Sequence, residues 1–557
     1  MRTVIHKNLI VLYLFLGSGV FANNLNITNA RLIGSNQAGQ YTMVQFDISW
    51  ENSWRTSAAP NNWDAVWVFI KFRISGGNWQ HAWLNNSGHT APAGSTIDIG
   101  LLTPGSPHNS TTNPGLGAFI YRSADGTGTF SLTGVQLRWN YGDNGCASAD
   151  VADVQVYGIE MVYIPQASFY VGSGGTESGS FTDGSWSAGN TIPFQITSED
   201  AMVMDSVPGS LFAKSAISTI YPGTTRPVTL PASFPKGYRA FYCMKHAITQ
   251  QGYANFLNTL TRTQQASRIR TVITDTTTWL QRCFVMRNSS TIDFRQGIRC
   301  DTAFAPYVPL TFVCDYSGGG TLQYVPPPIN ATVLRGNWIG GEANDGLGNE
   351  CNWLSWLDVL AYMDWSGLRP MTELEYEKAC RGDQAPVANE YVWGSTTGAT
   401  APTGLSNSGQ ISETASNAGA NQSYNAAVWG TMRVGAFAGA STTREQAGAT
   451  YYGVLDMGGS TWHMVVPVSK SLARAFAGDH GDGLLNSSGQ NDVTSWPGTG
   501  GYDPASTSLQ GYGFRGGTWY RDASYLTISS RGAATNGNGR HSLRHDSQGG
   551  RGVRTAP

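Results

Sequence analysis

The sequence has 557 residues, enough for two or three domains that each bury a sizeable core. Only 13% of the residues are charged, and the chain contains 68 glycines and 18 tryptophans, which is typical of a β- and loop-rich, well-packed protein rather than a disordered one. The formal net charge of -2 gives no electrostatic reason to expect a nucleic acid or an anionic membrane as a partner.

Residues 1–22 have the pattern of a secretory signal peptide. Arg2 and Lys7 precede an apolar run over residues 9–16, and Val20-Phe21-Ala22 supplies the cleavage site. The apolar run is shorter than the roughly 20 residues that a membrane span needs. We therefore expect an exported protein without a membrane span, located outside the cell, on its surface or in a periplasm.

Residues 23–157 predict a β-sandwich domain. Apolar and polar residues alternate over Val44–Trp50, as in a strand with one buried face, and Val66–Phe72 is almost continuously apolar, as in a central strand. Turn-rich stretches such as residues 103–107 separate these runs, and we find no helical period between them. This domain could serve as an anchor or as a second binding module.

The cysteines bear on both redox state and metal binding. Export permits disulfides, but an odd number of cysteines leaves at least one thiol free or paired between molecules, and the spacing does not fix the pairing. No two cysteines have CxxC spacing, which argues against a zinc site. The seven cysteines are Cys146, Cys243, Cys283, Cys300, Cys314, Cys351 and Cys380.

A series of motifs begins at Met161–Pro165. The next motif, Tyr242–Thr249, leads into a predicted helix that Thr249 is suited to cap. Four apolar residues then follow at the i, i+3, i+4 and i+7 spacing of one buried helix face. These four residues are Tyr253, Phe256, Leu257 and Leu260.

The third motif covers residues 352–382 and predicts two capped helices. Ser355 is expected to cap the first helix. Thr372 and Glu375 form a capping box for the second helix, in which each side chain satisfies a backbone donor of the first turn. The carboxylates of this helix are therefore predicted to be structural rather than catalytic.

The remaining motifs are Tyr452–Met464, Gly513–Trp519 and Gly552–Arg554. In their order, the motifs resemble those of the formylglycine-generating enzyme (sulfatase-modifying factor) family, over about residues 159–557. The resemblance implies an α+β domain related to C-type lectins, with much irregular structure. We place this domain at residues 158–557, with loop insertions at about 261–330 and 383–450.

The resemblance also implies where the chemistry of the family would lie. In that family a pair of cysteines shortly after an R-G-G-S-W motif holds copper and carries out the oxidation. Here the corresponding segment, residues 519–534, contains no cysteine, and Cys380 is the last cysteine of the chain. Because hydroxyl groups cannot replace thiolates as ligands of Cu(I), we predict no catalytic residue, no copper and no required cofactor, as in a pseudoenzyme.

A calcium site is a further implication of the resemblance. Asp456, Gly459 and Thr461 match three of the family's ligands, whereas His463 stands where the family has a glutamate. This replacement removes a hard oxygen ligand and a negative charge, so it argues against calcium, which we keep as an alternative. Farther along the chain, residues 479–482 (Asp-His-Gly-Asp) either hold a cation or form an exposed turn.

The C-terminal segment has the composition of an adaptable recognition surface, because it combines Tyr, Arg, Asn and Asp with small residues. In the family this segment lines the cleft that receives a peptide. An ordinary polar loop surface is the alternative interpretation. The predicted ligand-binding residues are Trp519, Tyr520, Arg521, Asp522, Tyr525, Asn536, Asn538, His541, Arg544, His545 and Asp546.

The sequence thus favours an exported, non-catalytic protein that binds a peptide, a protein or a glycan. One alternative is an oxidoreductase of the same family that works through a site without cysteine. The other alternative is a structural surface protein that assembles into homo-oligomers.

Overall fold

The computed structural model is rich in strands and contains few helices. The predicted signal peptide lies outside the residues that it describes. The described residues are 24–184, 191–213, 227–280, 283–300, 304–316, 337, 339–439, 441–498, 511–534 and 543–557.

Between residues 24 and 164 the chain forms strands joined by turns. The longest strands are those whose sequence alternates or is continuously apolar. The strands are β1 (Asn26–Asn36), β2 (Tyr41–Arg55), β3 (Asp64–Ile74), β4 (Gln80–His81), β5 (Ser95–Leu101), β6 (Gly115–Arg122), β7 (Gly126–Trp139) and β8 (Ala152–Ile164).

Two sheets face each other across a shared core in this region. One sheet has the order β1-β2-β7, and the other contains β5-β6-β3-β8. Phe46 and Trp50 of β2, Ile70 of β3, Ile120 of β6 and Leu137 of β7 are fully buried in the same cluster. Burial alternates along β2 and is almost complete along β3, as the sequence predicts, and a β-rich N-terminal region is confirmed.

Strand β8 continues past residue 157, where we predicted the domain boundary. Its first part pairs with β3 from Ala152↔Ile74 onward, and its last part pairs with both β3 and β15 (Phe241–Met244), with Val162 opposite Cys243. Two further strands, β18 (Arg369–Pro370) and β24 (Gly552–Thr555), extend this sheet. The resulting sheet of eight strands has the order β18-β24-β15-β8-β3-β6-β5, with β4 paired beside β3. The N-terminal region and the motif-bearing region therefore share one continuous sheet.

The motif-bearing region adds mostly short strands. They are β9 (Phe169–Val171), β10 (Phe181–Asp183), β11 (Phe194–Ile196), β12 (Met202–Met204), β13 (Leu211–Ala213), β14 (Val228–Leu230), β15 (Phe241–Met244), β16 (Ile298–Cys300), β17 (Phe312–Cys314), β18 (Arg369–Pro370), β19 (Leu405–Ser406), β20 (Thr414–Ala415), β21 (Trp462–Val465), β22 (Gly513–Arg515), β23 (Gln548–Gly549) and β24 (Gly552–Thr555).

Three of the helices of this region begin where the sequence predicts caps. Thr249 accepts from the Gly252 N–H, and capping boxes are present at Ser355 and at Thr372 with Glu375. Leu260, which we assigned to the first helix face, is buried but lies beyond the end of that helix. The helices are α1 (Gln250–Leu257), α2 (Arg262–Arg268), α3 (Trp356–Trp365), α4 (Glu373–Arg381) and α5 (Ser471–Arg474), with a 3-10 turn at Ala523–Leu526.

Buried polar contacts join the N-terminal region to the rest of the molecule. The Lys71 ammonium donates to the carbonyls of Trp365 at 2.7 Å and of Gly483 at 2.5 Å, and the Trp67 indole donates to the Ser366 carbonyl at 2.8 Å. These contacts require both regions to be folded together. Among the described residues, no helix is both long enough and apolar enough to cross a bilayer.

Candidate functional site

Residues 526–531, a part of the segment that follows Arg515-Gly516-Gly517, run through the interior of the protein. Leu526 and Ile528 are fully buried, and Ser529 and Arg531 are almost fully buried. They belong to the stretch 519–534, in which the resemblance would place a pair of reactive cysteines. Their side chains pack inward, whereas residues 520–525 lie at or near the surface.

Ion pairs fill the space beneath this segment. Arg531 Nε and Nη2 donate to the two carboxylate oxygens of Glu373 at 2.7 and 2.9 Å, and Arg515 donates to Glu373 at 3.1 Å and to Glu377 at 2.8 Å. Burial alone would raise the pKa of Glu373, but the two arginines outweigh it and hold that pKa below its usual value. Glu373 and Glu377 therefore act as structural anions, as the sequence predicts for this helix.

The thiols lie elsewhere, and most of them are deeply buried. Six of the seven cysteines are buried, and Cys146 is half-buried. Burial raises the pKa of the Cys243 thiol to about 11 and that of the Cys380 thiol to about 12. Since only the thiolate is a good nucleophile and metal ligand, these groups have the environment of inert structural cysteines.

Four aromatic side chains from distant parts of the sequence, one of them Trp519, lie together at the surface. The ring of Trp519 lies 4.9 Å from that of Trp429 and 5.4 Å from that of Phe294, and Phe294 lies 6.1 Å from Trp353. Trp519 and Trp353 are buried, Phe294 is half-buried, and Trp429 is 41% exposed. We call Phe294, Trp353, Trp429 and Trp519 the aromatic face.

Two glycines set the position of Trp519. Gly516 and Gly517 have φ values of +88° and +80°, and a Cβ on Gly516 would lie 2.5 Å from the Met457 carbonyl oxygen. The Trp519 N–H then donates to the Ser460 carbonyl at 2.8 Å. Because other side chains at these glycines would be strained or would clash, the Gly-Gly pair is what allows Trp519 to reach the aromatic face.

Phe294 and Trp353 have left-handed backbones, with φ values of +52° and +58°. Such a conformation costs free energy for a bulky residue, so surrounding contacts must hold it. The Asn352 amide donates to the Phe294 carbonyl at 2.8 Å and to the Asp546 carbonyl at 3.0 Å, and the Trp353 N–H donates to the His545 carbonyl at 2.9 Å. Asn352 thus joins three loops behind the aromatic face.

Charged side chains surround the aromatic face. The Arg287 guanidinium lies 5.4 Å from the ring of Trp353 and 5.7 Å from that of Phe294, and it pairs with Asp293. His545 Nδ1 lies 2.8 Å from Asp546 Oδ1, in ion-pair rather than hydrogen-bond geometry. The contact with Asp546 raises the pKa of His545 above its ordinary value. The rim therefore offers both cationic and anionic groups next to aromatic rings.

Several predicted ligand-binding residues lie at this surface. Tyr520 packs edge-on against Trp519 at 5.1 Å, and the Arg521 guanidinium lies 5.2 Å from the rings of both Tyr520 and Tyr525. Asp522 is exposed, but its carboxylate accepts from the Ser524 N–H at 2.9 Å and caps the 3-10 turn. Tyr520 and Arg521 are therefore the better placed of these residues to contact a ligand.

Arg544 has a different role from the predicted one. Its guanidinium donates to both oxygens of the buried Asp358 at 2.7 Å and to the carbonyls of Ser267 and Ile269. These four hydrogen bonds hold the C-terminal segment against helices α2 and α3, so Arg544 is a structural residue beneath the surface. Asn536, Asn538 and His541 lie outside the described residues.

The proposed calcium ligands are engaged by protein groups. The Asp456 carboxylate accepts from the Gly435 N–H at 2.7 Å, and the Asp456 carbonyl lies 2.7 Å from His463 Nε2 and 3.2 Å from Arg551 Nη2. The Thr461 hydroxyl donates to Glu350 at 2.5 Å. Calcium prefers a set of free, negatively charged oxygens, and this turn does not supply one. The residues present therefore do not fit a calcium ion.

Three carboxylates of the described chain lie close enough to share a cation, namely those of Asp364, Asp482 and Asp492. Asp482 comes from the stretch 479–482 for which we considered cation binding. The Asp364 oxygens accept from the backbone N–H groups of Asp482 and Asp492 at 3.0 and 3.1 Å. Burial lowers the pKa of the neighbouring Lys71 to about 7, although Asp364 and Asp482 partly offset this effect. The Asp364 carboxylate is therefore engaged by backbone groups and ties α3 to the loop at 482–492.

Sequence reasoning missed the residues that complete the aromatic face. Phe294 and Trp429 lie in the two stretches that we assigned to loop insertions, and we treated Trp353 only as the approach to a helix. For Trp429 the sequence did contain a signal. This large aromatic residue lies in a stretch rich in Gly, Ala and Ser, where a solvated loop has no need of it.

The sequence pattern of one protein family, described as the sulfatase-modifying factor enzyme 1-like domain, matches residues 208–556. This match covers more than half of the chain. It contains the aromatic face, the buried ion pairs and helices α1 to α5. No curated protein matches the chain.

Proposed function

The chain belongs to the sulfatase-modifying factor enzyme 1-like family, and on that premise we propose that it is an exported, non-catalytic member that binds a peptide, protein or glycan ligand at the aromatic face. The family fold supplies the framework. The N-terminal β-region shares a sheet with this framework.

The aromatic face is the observation that carries this proposal. The outermost ring of this face, the Trp429 indole, is 41% exposed and can therefore contact a ligand. Its ring packs on Phe294 and Trp519, and left-handed backbones at Phe294 and Trp353 are held in place behind it. Strained, well-supported aromatic residues at a surface are characteristic of recognition sites.

The rim determines which ligands suit this surface. Arg287, His545 and Asp546 place hydrogen-bonding and charged groups next to flat apolar rings. Peptides and glycans both combine apolar surface with polar groups, and large aromatic side chains bind such surfaces with little loss of conformational entropy. The mixed charge of the rim disfavours a purely apolar ligand.

The buried segment supports the non-catalytic part of the proposal. The family's oxidation needs two thiolates close together shortly after its R-G-G-S-W motif, whereas residues 519–534 of this chain contain no cysteine and include the ion-paired Arg531. The thiols of Cys243 and Cys380 are buried and have raised pKa values, so neither is suited to act in their place.

A binding screen with matched tryptophan variants tests the proposal. The full chain, Trp429→Ala and Trp79→Ala are each applied to a glycan array and to a random peptide library. Trp79 is a suitable control because its indole is also partly exposed but lies in the N-terminal region, 4.7 Å from Arg73. We expect ligands that bind the full chain and Trp79→Ala but not Trp429→Ala. Ligands lost only in Trp79→Ala would place the site in the N-terminal region and contradict the proposal.

A further inference from the structure

A second cavity lies away from the aromatic face, between the N-terminal region and helices α1 and α3. The cavity is open to solvent on one side. Its walls are mainly apolar and aromatic, and they include Phe69, Tyr157, Met244, Tyr362 and Trp365. Apolar cavities located where two regions meet are a common form of small-molecule site.

This cavity is lined by three buried polar side chains, those of Glu160, His246 and Thr249. His246 is 7% exposed, and its Nδ1 lies 3.5 Å from the Asp456 carboxylate, an ion-pair contact that is too long for a good hydrogen bond. Neither ring nitrogen of His246 makes a hydrogen bond within the part of the chain that the structure describes. A buried polar atom without a partner is costly, so its retention calls for an explanation.

The position of Asp456 determines which ring nitrogen of His246 carries the proton. A carboxylate that faces Nδ1 favours the tautomer with the proton on Nδ1, and Nε2 is then a hydrogen-bond acceptor. A ligand that satisfies Nε2 must therefore carry a donor, such as a hydroxyl group. The remaining wall would contact the apolar body of that ligand.

We propose that this cavity binds a small single-ring aromatic compound whose hydroxyl group donates to His246 Nε2. The ring of the ligand packs against the wall formed by Phe69, Tyr157 and Trp365. These three rings contact one another edge-on or stacked at 5.0 to 5.5 Å. The site shares no residue with the aromatic face, so it is independent of the function proposed above.

A matched pair of probes tests the inference on the full chain. p-Cresol and toluene differ by one hydroxyl group, and their dissociation constants are measured by calorimetry and by NMR. We expect p-cresol to bind about tenfold more tightly than toluene, since it alone makes the hydrogen bond to His246. Absence of binding by both probes, or equal affinity for both, would overturn the proposal.

Four variants locate the binding. His246→Phe removes the acceptor and is expected to equalise the two affinities, whereas His545→Gln, on the aromatic face, is expected to leave both unchanged. Ala247→Leu, which adds three carbon atoms to a lining residue, is expected to weaken both probes at least tenfold. Val434→Phe repeats this test from another lining position in case Ala247→Leu does not fold. Unchanged binding in the folded filling variants would overturn the proposal.

Discussion

Two neighbouring parts of the C-terminal segment have opposite environments. Residues 526–531 are buried, and their polar groups are held by ion pairs such as Arg531–Glu373. Trp519, seven residues before Leu526, instead joins a surface cluster whose outermost ring, Trp429, is 41% exposed. Ion pairs thus close one part of the segment, while aromatic side chains gather at the adjoining surface. This difference is the reason why we propose that a ligand binds at the surface and not within residues 526–531.

The largest expected effect is a loss of stability when a buried residue among residues 526–531 is replaced. Arg531→Ala leaves the Glu373 carboxylate short of its bidentate partner in a dry environment, which typically costs about 3–5 kcal/mol. Urea unfolding of the variant measures this loss. Arg521→Ala, which removes an exposed arginine of the same segment, is expected to cost less than about 0.5 kcal/mol. Equal stability of the two variants would show that the ion pairs do not support the segment.

Substitutions at two tryptophans of the aromatic face are expected to affect stability and ligand binding differently. Trp519 is 3% exposed, so Trp519→Ala should destabilise the protein by about 3–5 kcal/mol and also abolish binding. Trp429→Ala should weaken ligand binding by about 2 kcal/mol or more but cost less than about 1 kcal/mol of stability. Unfolding and binding measured on the same samples test both. A large loss of stability in Trp429→Ala would mean that its ring is a core residue.

A smaller effect concerns the charge of the rim. Because Asp546 raises the pKa of His545, the protonated form contributes stability that is present below about pH 6.5 and lost as the pH rises through the folded-state pKa. NMR titration should therefore give His545 a pKa above about 6.5, and Asp546→Asn should return it towards that value. An unchanged pKa in Asp546→Asn would show that the pair does not form in solution.

The smallest expected effect is that of calcium. Since His463 and Arg551 engage the Asp456 carbonyl, millimolar calcium chloride should shift the melting temperature by less than about 1 °C relative to EDTA. Calorimetry in the two buffers checks this. Stabilisation by several degrees would mean that the turn at Asp456, Gly459 and Thr461 rearranges to bind the ion.

Local patterns in the sequence predicted much of the framework. Strand alternation at Val44–Trp50 and caps at Thr249, Ser355 and Thr372 are determined by neighbouring residues, so they can be read without tertiary information. The order of the motifs predicted the family, which the match over residues 208–556 confirms. The predictions of export, of domain boundaries and of a peptide, protein or glycan ligand remain predictions.

The site was harder to predict because it depends on contacts between distant residues. Phe294, Trp353, Trp429 and Trp519 come together only through the fold, and no local pattern links them. Arg544 is the opposite case. The composition of its segment suggested that Arg544 contacts a ligand, whereas its guanidinium donates to the buried Asp358. Whether a polar residue faces solvent or a buried partner is decided by tertiary structure.

The most direct test of the central claim is an activity measurement with copper. The full chain is loaded with copper, its bound copper is quantified, and a cysteine-containing sulfatase peptide is assayed for conversion of the cysteine to an aldehyde. We predict neither stoichiometric copper nor aldehyde formation, because residues 526–531 offer no thiol and are closed by ion pairs. Stoichiometric copper together with aldehyde formation would contradict this account and show that another site has replaced the cysteine pair.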